Sequence, residues 1–577
     1  MPGFIKRFLL IISCCCWGSL AYSQIGIGVN PPDPSAVLHV QDTTKGLLIS
    51  RVTAAQRINI QNPAEGLMVY QTDSPAGFWY FRSGQWVNTF PSNGEGRSVI
   101  ILADTITNAE AQLKIANEVG PNTQEVRILR CSNLTSVDLS VLTNSLVEVY
   151  IEDNAVLQQV NLGNLKAVDG GFYVYNCPQL ASLDIHSLGR IGQALNGNPG
   201  LRYGLSIIGT GVQNLNLPVL KQLTGFLWLE NDSSLTSLNI PQLVYSPSIT
   251  IWNSPLLTSA TFSSLKNLGV INMVTASELT TVDFSSLVKA GTVRLKANQM
   301  SSVSFPVLTS SQIEITAPQL ASASFPVLQV CNTFNVTGGS QLSSVSAPLL
   351  TTSKIQLTGG SLNAVNLNSL QTATGIVITA SAGSLSTLTF PALQTSSNNN
   401  TALINVSGIG SLSFPVLRKT DGFAASQVSS ISLPLLDTVK YRLEITNAPA
   451  LTTLTFPALK KSNGITIANC GLTSASFPVY TSNYEFNVSN CQVYINGNPN
   501  LTAVSLPNLQ VTYGSFYFDN NKLPSSEVNT LLAKFRSIPT SNLQALYLKQ
   551  IPAAPPTGQG IIDKNYLVGV DVIVVTD

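Results

Sequence analysis

The chain holds only two histidines, His39 and His186, so Ser/His/Asp, Cys/His or histidine-zinc chemistry would have to be built on one of them. His186 follows Ile185 where later copies of the same phrase carry proline, and no paired His/Cys spacing accompanies it. An exposed turn histidine is expected, with no catalytic set and no metal site. The carboxylates form a more suggestive pattern, because Asp138, Asn161 and Asp184 fall at equivalent positions of three successive repeats. On strands about 4.8 Å apart, Asp138 and Asp184 would stand about 9.6 Å from each other, close to the acid-base separation of inverting glycosidases. The same position later holds Asn239, Thr261, Asp283, Ser304, Ser324 and Thr455. A solvated polar row is therefore the expected reading, with no enzyme activity and no cofactor.

What positions these residues is a repeated phrase of nine residues: leucine, two small polar residues, an apolar residue, a polar one, a large apolar one, often proline, then leucine. It reads Leu134-Thr-Ser-Val137-Asp-Leu139-Ser-Val-Leu142 early and Leu385-Ser-Thr-Leu388-Thr-Phe390-Pro391-Ala-Leu393 later. About 17 copies lie between Leu134 and Leu509, at an average period of about 23 residues. One such coil cannot bury its apolar face alone; stacked neighbours bury it jointly. The sequence predicts a mainly β fold, a long parallel β-solenoid with helical caps and a small N-terminal β module.

Each coil is expected to hold two short strands. One lies in the phrase, with pairs such as Val137/Leu139 and Leu388/Phe390 inward, and it ends at the following proline, which cannot donate to a ladder. The other precedes the phrase, as in Val149-Tyr-Ile151, Phe172-Tyr-Val174, Leu227-Trp-Leu229, Ile249-Thr-Ile251 and Phe486-Asn-Val488. Two parallel ladders of seventeen coils would extend about 80 Å. The outward slots of the second strand place Tyr150/Glu152, Tyr173/Tyr175, Trp228/Glu230 and Thr250/Trp252 on one exposed face. Later coils put Glu314/Thr316, Asn335/Thr337, Gln356/Thr358, Asn405/Ser407 and Glu444/Thr446 there, so the large aromatics are expected early. Tyr150, Glu152, Tyr173, Tyr175, Trp228, Glu230 and Trp252 are the candidate ligand-binding residues: aromatic rings beside carboxylates can stack on sugars or form a protein hot spot. The alternative is aromatic packing across strands, beneath the irregular stretch from Gly192 to Gly211.

Composition excludes other classes. Charged residues are 10% of the 577 and the formal net charge is +1, which does not favour a nucleic-acid partner. Residues 1–23 read as an export signal: Lys6 and Arg7, an apolar run from Phe8 to about Trp17, then Ala21-Tyr22-Ser23 before Gln24. No later run is long enough to span a membrane. Five cysteines follow the signal, Cys131, Cys177, Cys331, Cys470 and Cys491. The odd number argues against a full disulfide framework; Cys131, Cys177 and Cys470 fall in the turn slot of their repeats, and buried structural thiols are expected.

Outside the repeats, residues 24–95 form a module of different texture. Ile25-Gly26-Ile27-Gly28-Val29-Asn30, Pro63-Ala64-Glu65-Gly66-Leu67-Met68-Val69-Tyr70 and Gly77-Phe78-Trp79-Tyr80-Phe81 resemble an N-terminal module of bacterial surface and tail-fibre-like proteins. Alternation in 67–70 and 78–87 around Ser83-Gly84 predicts short strands and a hairpin. Residues 96–121 are expected to cap the array with a helix begun at Thr107 or Asn108, with Leu113, Ala116 and Val119 on one face, stopped by Gly120-Pro121. The array proper should run over 122–520. In 521–577, Val528, Leu531, Leu532 and Phe535 predict a second amphipathic cap helix, followed by terminal strands.

With turns such as Tyr175-Asn176-Cys177-Pro178-Gln179-Leu180 and Asn496-Gly497-Asn498-Pro499-Asn500-Leu501, the array resembles receptor L-domain-type leucine-rich repeats of secreted bacterial proteins. That resemblance implies a solenoid used for recognition or adhesion, and it carries no catalytic residues. The expected function is a non-catalytic, secreted or cell-surface protein binding a surface protein or glycan. The alternatives are a polysaccharide-active β-helix enzyme and a structural surface-layer component.

Overall fold

The computed structural model describes residues 24–73, 76–89, 96–143, 146–192, 204–274, 278–397, 403–483 and 491–577. The expected signal at 1–23 and the expected strand at 486–488 lie outside these residues. The chain divides between Gly96 and Arg97 into two compact units.

In the N-terminal unit, Ile25–Ile27 pairs in parallel with Leu38–Val40, and Arg51–Val52, Met68–Gln71, Gly77–Arg82 and Gln85–Asn88 form a four-stranded sheet. The expected hairpin turns at Ser83 and Gly84, whose φ angles of 50° and 80° are the positive pair that a two-residue turn uses. Helix α1 (Ala54–Ile58) begins with a reciprocal capping box between Thr53 and Gln56. Arg57 is buried there: its Nε donates to Gln71 Oε1 at 2.8 Å, and its guanidinium lies 3.5 Å from the Trp79 ring centroid.

The second unit is the parallel β-solenoid, with about twenty coils. The phrase strands pair in register, for example Val137 with Val160 and Val160 with Leu183. They form five short sheets of three, four, four, three and three strands, one strand for each phrase. The strands before the phrases form one long ladder that passes beyond the phrases at both ends, from Val99–Ala103 to Ile573–Val575. The caps thus contribute rungs of their own.

A third ladder separates the structure from the two-ladder expectation. Ala167–Val168, Arg190–Ile191 and Gln222–Leu223 pair in sequence, as do Thr395–Ser396, Lys419–Thr420, Thr438–Val439 and Lys461–Ser462. In the middle coils this ladder is continuous with the long strand, which reaches eight residues at Tyr245–Trp252 and nine at Val330–Gly338. The coils that carry these strands, from Ala167–Val168 to Lys461–Ser462, therefore have three sides. The added corner is closed by inward hydroxyls: Ser246 Oγ donates to the Ser248 carbonyl at 3.0 Å and Thr420 Oγ1 to that of Gly422 at 2.8 Å.

Between the long strand and the phrase the chain turns through a left-handed residue followed by an inward small or polar one. Asp153, Asn176, Asn231, Asn253, Asn447, Asn469 and Asn520 all have φ between 51° and 58°, a region that short amides and carboxylates tolerate best. Behind them sit Asn154, Cys177, Asp232, Ser254, Ala448, Cys470 and Asn521, all buried. Asn154 Oδ1 accepts the Cys131 N–H at 2.8 Å while Nδ2 donates to the Ile128 and Glu152 carbonyls. The five described cysteines are free and buried, and Cys131 Sγ donates to the Leu102 carbonyl. Burial pushes the Cys131 and Cys331 thiols up to about 11. Cys131, Cys177 and Cys470 are buried as the turn slot suggested, whereas Cys331 lies within the strand Val330–Gly338.

The core is a stack as well as a packing. Phe262, Phe284, Phe305 and Phe325 lie nearly parallel at successive centroid distances of 5.5, 5.7 and 5.4 Å. Outside, the Ser and Thr hydroxyls are spent on neighbouring coils: Thr236 donates to the Gln213 carbonyl, Thr258 to that of Thr236 and Thr280 to that of Thr258.

Helix α2 (Asn108–Glu118) starts with a capping box between Thr107 and Glu110. Its buried face is Ala111 and Ile115, whereas Leu113 is 64% exposed and Ala116 is exposed too. The expected face is thus corrected for Leu113 and Ala116, while Val119 just past the helix is half-buried against the core: a cap helix that contacts the array along one narrow line needs only positions four apart, 111, 115 and 119. Helix α3 (Ser525–Arg536) buries the four residues read from its periodicity, Val528, Leu531, Leu532 and Phe535. Helix α4 (Gln559–Gly569) follows and packs on α3.

Candidate functional site

The outward slots of the long ladder fall in straight rows because the register is preserved from coil to coil. One row reads Arg127, Tyr150, Tyr173, Ser206, Trp228, Thr250 and Asn272; its neighbour reads Glu152, Tyr175, Ile208, Glu230, Trp252 and Val274. Every candidate ligand-binding residue is in these two rows. Tyr150, Tyr173, Tyr175 and Trp228 line one concavity of about 260 Å³ with Glu148, Ser206, Ile208 and Phe226. Glu152, Glu230 and Trp252 lie outside that lining, and Trp252 is the most exposed ring at 50%.

The tyrosines form a cluster rather than three separate platforms. Tyr173 and Tyr175 are stacked at 6.0 Å, and Tyr150 meets them at 5.3 and 5.7 Å with tilted and edge-on geometry. Tyr173 was expected to be exposed and is instead buried, at 3%. Its ring folds back over Gly171, where a Cβ would fall 1.9 Å from the tyrosine hydroxyl. Gly171 is the sequence signal for that posture. Trp228, 37% exposed, meets Phe226 edge-on at 6.1 Å and donates from Nε1 to Glu230 Oε2 at 2.8 Å. That bond fixes the indole.

Aromatics are not confined to the early coils. Tyr494, Tyr517 and Tyr547 occupy the same kind of outward row in register, stacked face to face at 4.4 and 4.6 Å. The expectation of short polar groups throughout the later coils is corrected accordingly. Spacing hid them, because the copies around 484–547 are irregular in length.

Asp138, Asn161 and Asp184 are aligned on successive rungs and line a wide concavity beside α2. Their side chains serve local turns: Asp138 Oδ1 accepts the Ser140 N–H and Asn161 Oδ1 that of Gly163. Asp184 Oδ1 contacts His186 Nδ1 at 2.6 Å, so the expected exposed turn histidine has a carboxylate partner. His39 accepts the Asp33 N–H on Nδ1 in the N-terminal unit. Among the described residues no group of three or more His, Cys, Asp or Glu side chains is arranged to hold a metal, and no helix is long and apolar enough to cross a membrane.

Residues 26–100 match the family described as phage tail like trimerisation region. No curated protein matches the chain. Among solved structures, YopM from Yersinia enterocolitica WA-314 is 14% identical over 72% of this chain and 91% of its own, with a TM-score of 0.21. A chain of the Toll–Spatzle complex from Drosophila is 10% identical over 89% of this chain and 95% of its own, with a TM-score of 0.12.

Proposed function

We propose that the chain is a non-catalytic recognition protein, secreted or displayed on a bacterial cell surface, whose early coils bind a surface protein or glycan. The observation that carries this reading is the Tyr150, Tyr173, Tyr175 and Trp228 concavity, held on a rigid parallel ladder with an acidic rim. Large aromatic area presented at small entropic cost is what binding hot spots use. The likeness of the phrase to receptor L-domain-type repeats supports the same reading. Against a structural surface-layer role stand the Thr hydroxyls already committed to carbonyls of the preceding coil.

The N-terminal unit adds self-association to this proposal. Val37, Leu47, Leu48 and Ile58 are 76, 63, 80 and 67% exposed, a high density of bare aliphatic surface for so small a unit. Together with the trimerisation-region match over 26–100, this supports a trimer that carries three recognition units.

A glycan array run beside a pull-down from host and neighbouring-cell surfaces tests the proposal. A ligand lost in the folded Trp228→Ala/Trp252→Ala variant supports it. Binding that survives that variant moves the site elsewhere, and turnover of a polysaccharide abolished by Asp138→Asn or Asp184→Asn replaces it with the enzyme reading.

A further inference from the structure

The charges of the chain nearly balance, 30 Lys and Arg against 29 Asp and Glu, yet one corner of the coils separates them. This corner, where the phrase ends and the third ladder begins, carries two rows in fixed register. Backbone bonds between coils set the first row: Lys221 donates to Gly189, Val244 to Lys221 and Lys266 to Val244. Strand pairing sets the second, which reads Arg190, Gln222, Tyr245, Asn267 and Lys289. Followed from Lys166 to Val511, the described residues of the two rows hold nine cations and a single carboxylate, Asp437. Arg418, Lys419, Lys460 and Lys461 lie beyond an uncharged stretch of the rows from Thr309 to Thr395, and the other five are in the early coils.

The early cations surround a ring. Tyr245 is 49% exposed, with Gln222 and Asn267 on either side of it in its own row and Lys289 one rung further on. In the first row, Lys221 and Lys266 stand on the rungs before and after it, about 9.6 Å apart at the strand spacing. Arg190 is paired with Asp169 at 2.6 Å, whereas Lys221, Lys266 and Lys289 are exposed and make no ion pair among the described residues. An open aromatic face thus lies between two exposed amides and three unpaired ammonium groups.

The arrangement selects among polyanions. A membrane surface would meet a flat patch of charge, and this is a line along one corner. Duplex nucleic acid carries one charge per about 1.7 Å, against at most one cation per rung of about 4.8 Å in these coils. An acidic peptide would neutralise the lysines and leave the ring and amides unused. A chain of sugar rings with an acid group on every ring or every second ring uses all of them: a ring on Tyr245, hydroxyls on Gln222 and Asn267, anions on the lysines.

We propose that the corner around Tyr245 binds an acidic polysaccharide, with one sugar stacked on Tyr245 and the carboxylate or sulfate groups of its neighbours on Lys221, Lys266 and Lys289. The site does not depend on the Tyr150–Trp228 face, since Trp228 stands six residues beyond Gln222 in its coil, past the added corner.

Anisotropy of labelled oligogalacturonate and heparin fragments on the mature chain tests this, beside neutral dextran, polyglutamate and single-stranded DNA of similar length. At least one acidic glycan is expected to bind at least tenfold more tightly than the other three probes, and the better of the two names the anion. Lys221→Gln/Lys266→Gln should weaken that binding about tenfold or more and flatten its fall with added salt. Tyr245→Ala should weaken it by a similar factor with the salt dependence kept, and Tyr245→Phe should restore it. Lys522→Gln/Lys549→Gln removes the same charge from exposed lysines of the C-terminal coils and should change nothing. Polyglutamate or DNA bound as tightly as the glycans, or an equal loss in Lys522→Gln/Lys549→Gln, overturns the proposal in favour of general attraction to cations. Full binding in Tyr245→Ala overturns the stacked sugar. The Trp228→Ala/Trp252→Ala variant should bind the acidic glycan unchanged; a loss there would assign the glycan to the recognition face and overturn this site alone.

Discussion

Asn521 accepts the backbone N–H of Asn498 on its side-chain oxygen at 2.9 Å, and Asn498 accepts that of Cys470 at 3.0 Å. Each amide also donates back to its own coil and the one before: Asn498 Nδ2 reaches the Ile467 and Asn496 carbonyls at 3.1 Å. The asparagines thus link coils through groups the ladders leave unpaired. Asn498→Ala removes an acceptor and two donors in a buried turn, and is expected to cost about 3 kcal/mol. In a solenoid that loss should be local. Hydrogen exchange should rise around 465–521 and stay unchanged near 226–252.

Asp232 holds the same slot with a carboxyl group. Its Oδ1 accepts from the Thr210 N–H at 3.0 Å and the Thr210 hydroxyl at 2.7 Å, yet burial pushes its pKa up to about 7. The unfolded carboxyl ionises near the ordinary value of 3.8. Between these values the unfolded chain binds fewer protons than the folded one, so stability is fullest below about pH 4, falls as pH rises, and levels off above about pH 7. The fall should amount to up to about 4 kcal/mol. Asp232→Asn reproduces the residue at 154 and should flatten that slope and stabilise the protein at pH 8. Chemical denaturation across pH 4–8 measures both; an unchanged slope in the variant would reject the assignment.

Phe284 lies in the stacked core between Phe262 and Phe305, with 2% exposure. Phe284→Ala is expected to cost about 3–5 kcal/mol, since the rigid ladders on either side restrict collapse of the cavity. Phe284→Leu should recover more than half of that in the same denaturation experiment.

The parts of this architecture that were legible in the sequence are those with a repeating reason to exist. Val137, Leu388 and Phe390 recur because every coil needs an inward residue there, and each phrase became a rung. The third ladder was hidden because pieces such as Ala167–Val168 are two residues long, too short for alternation to show. Tyr150, Tyr175, Trp228 and Trp252 were placed on the correct face by counting from the leucines. The posture of Tyr173 was not, because it depends on the missing Cβ of Gly171, a packing relation that spacing alone does not encode.

That relation can be tested directly. Gly171→Ala would force the Tyr173 ring off the backbone, since the new Cβ meets its hydroxyl at 1.9 Å. The tyrosine wall should be displaced, with ligand binding weakened tenfold or more and global stability little changed. Near-ultraviolet circular dichroism reports the moved tyrosines, and binding retained despite a changed spectrum would show that this wall is not part of the recognition surface.

The N-terminal unit makes a prediction of a different kind. Leu47 and Leu48 are 63 and 80% exposed within the region matching a trimerisation family. Burying two leucines per chain against two other copies would contribute about 1.5–3 kcal/mol for each side chain, enough for their loss to govern assembly. Leu47→Ser/Leu48→Ser should therefore sediment as a monomer where the unaltered chain sediments as a trimer, with solenoid stability the same in both. Binding to a single immobilised ligand should not change. Binding to a densely decorated surface should weaken by a hundredfold or so, because the second and third contacts become independent rather than tethered. A variant that remains trimeric would place the interface on other residues of 26–100, and an unaltered chain that sediments as a monomer would remove multivalency from the proposed function.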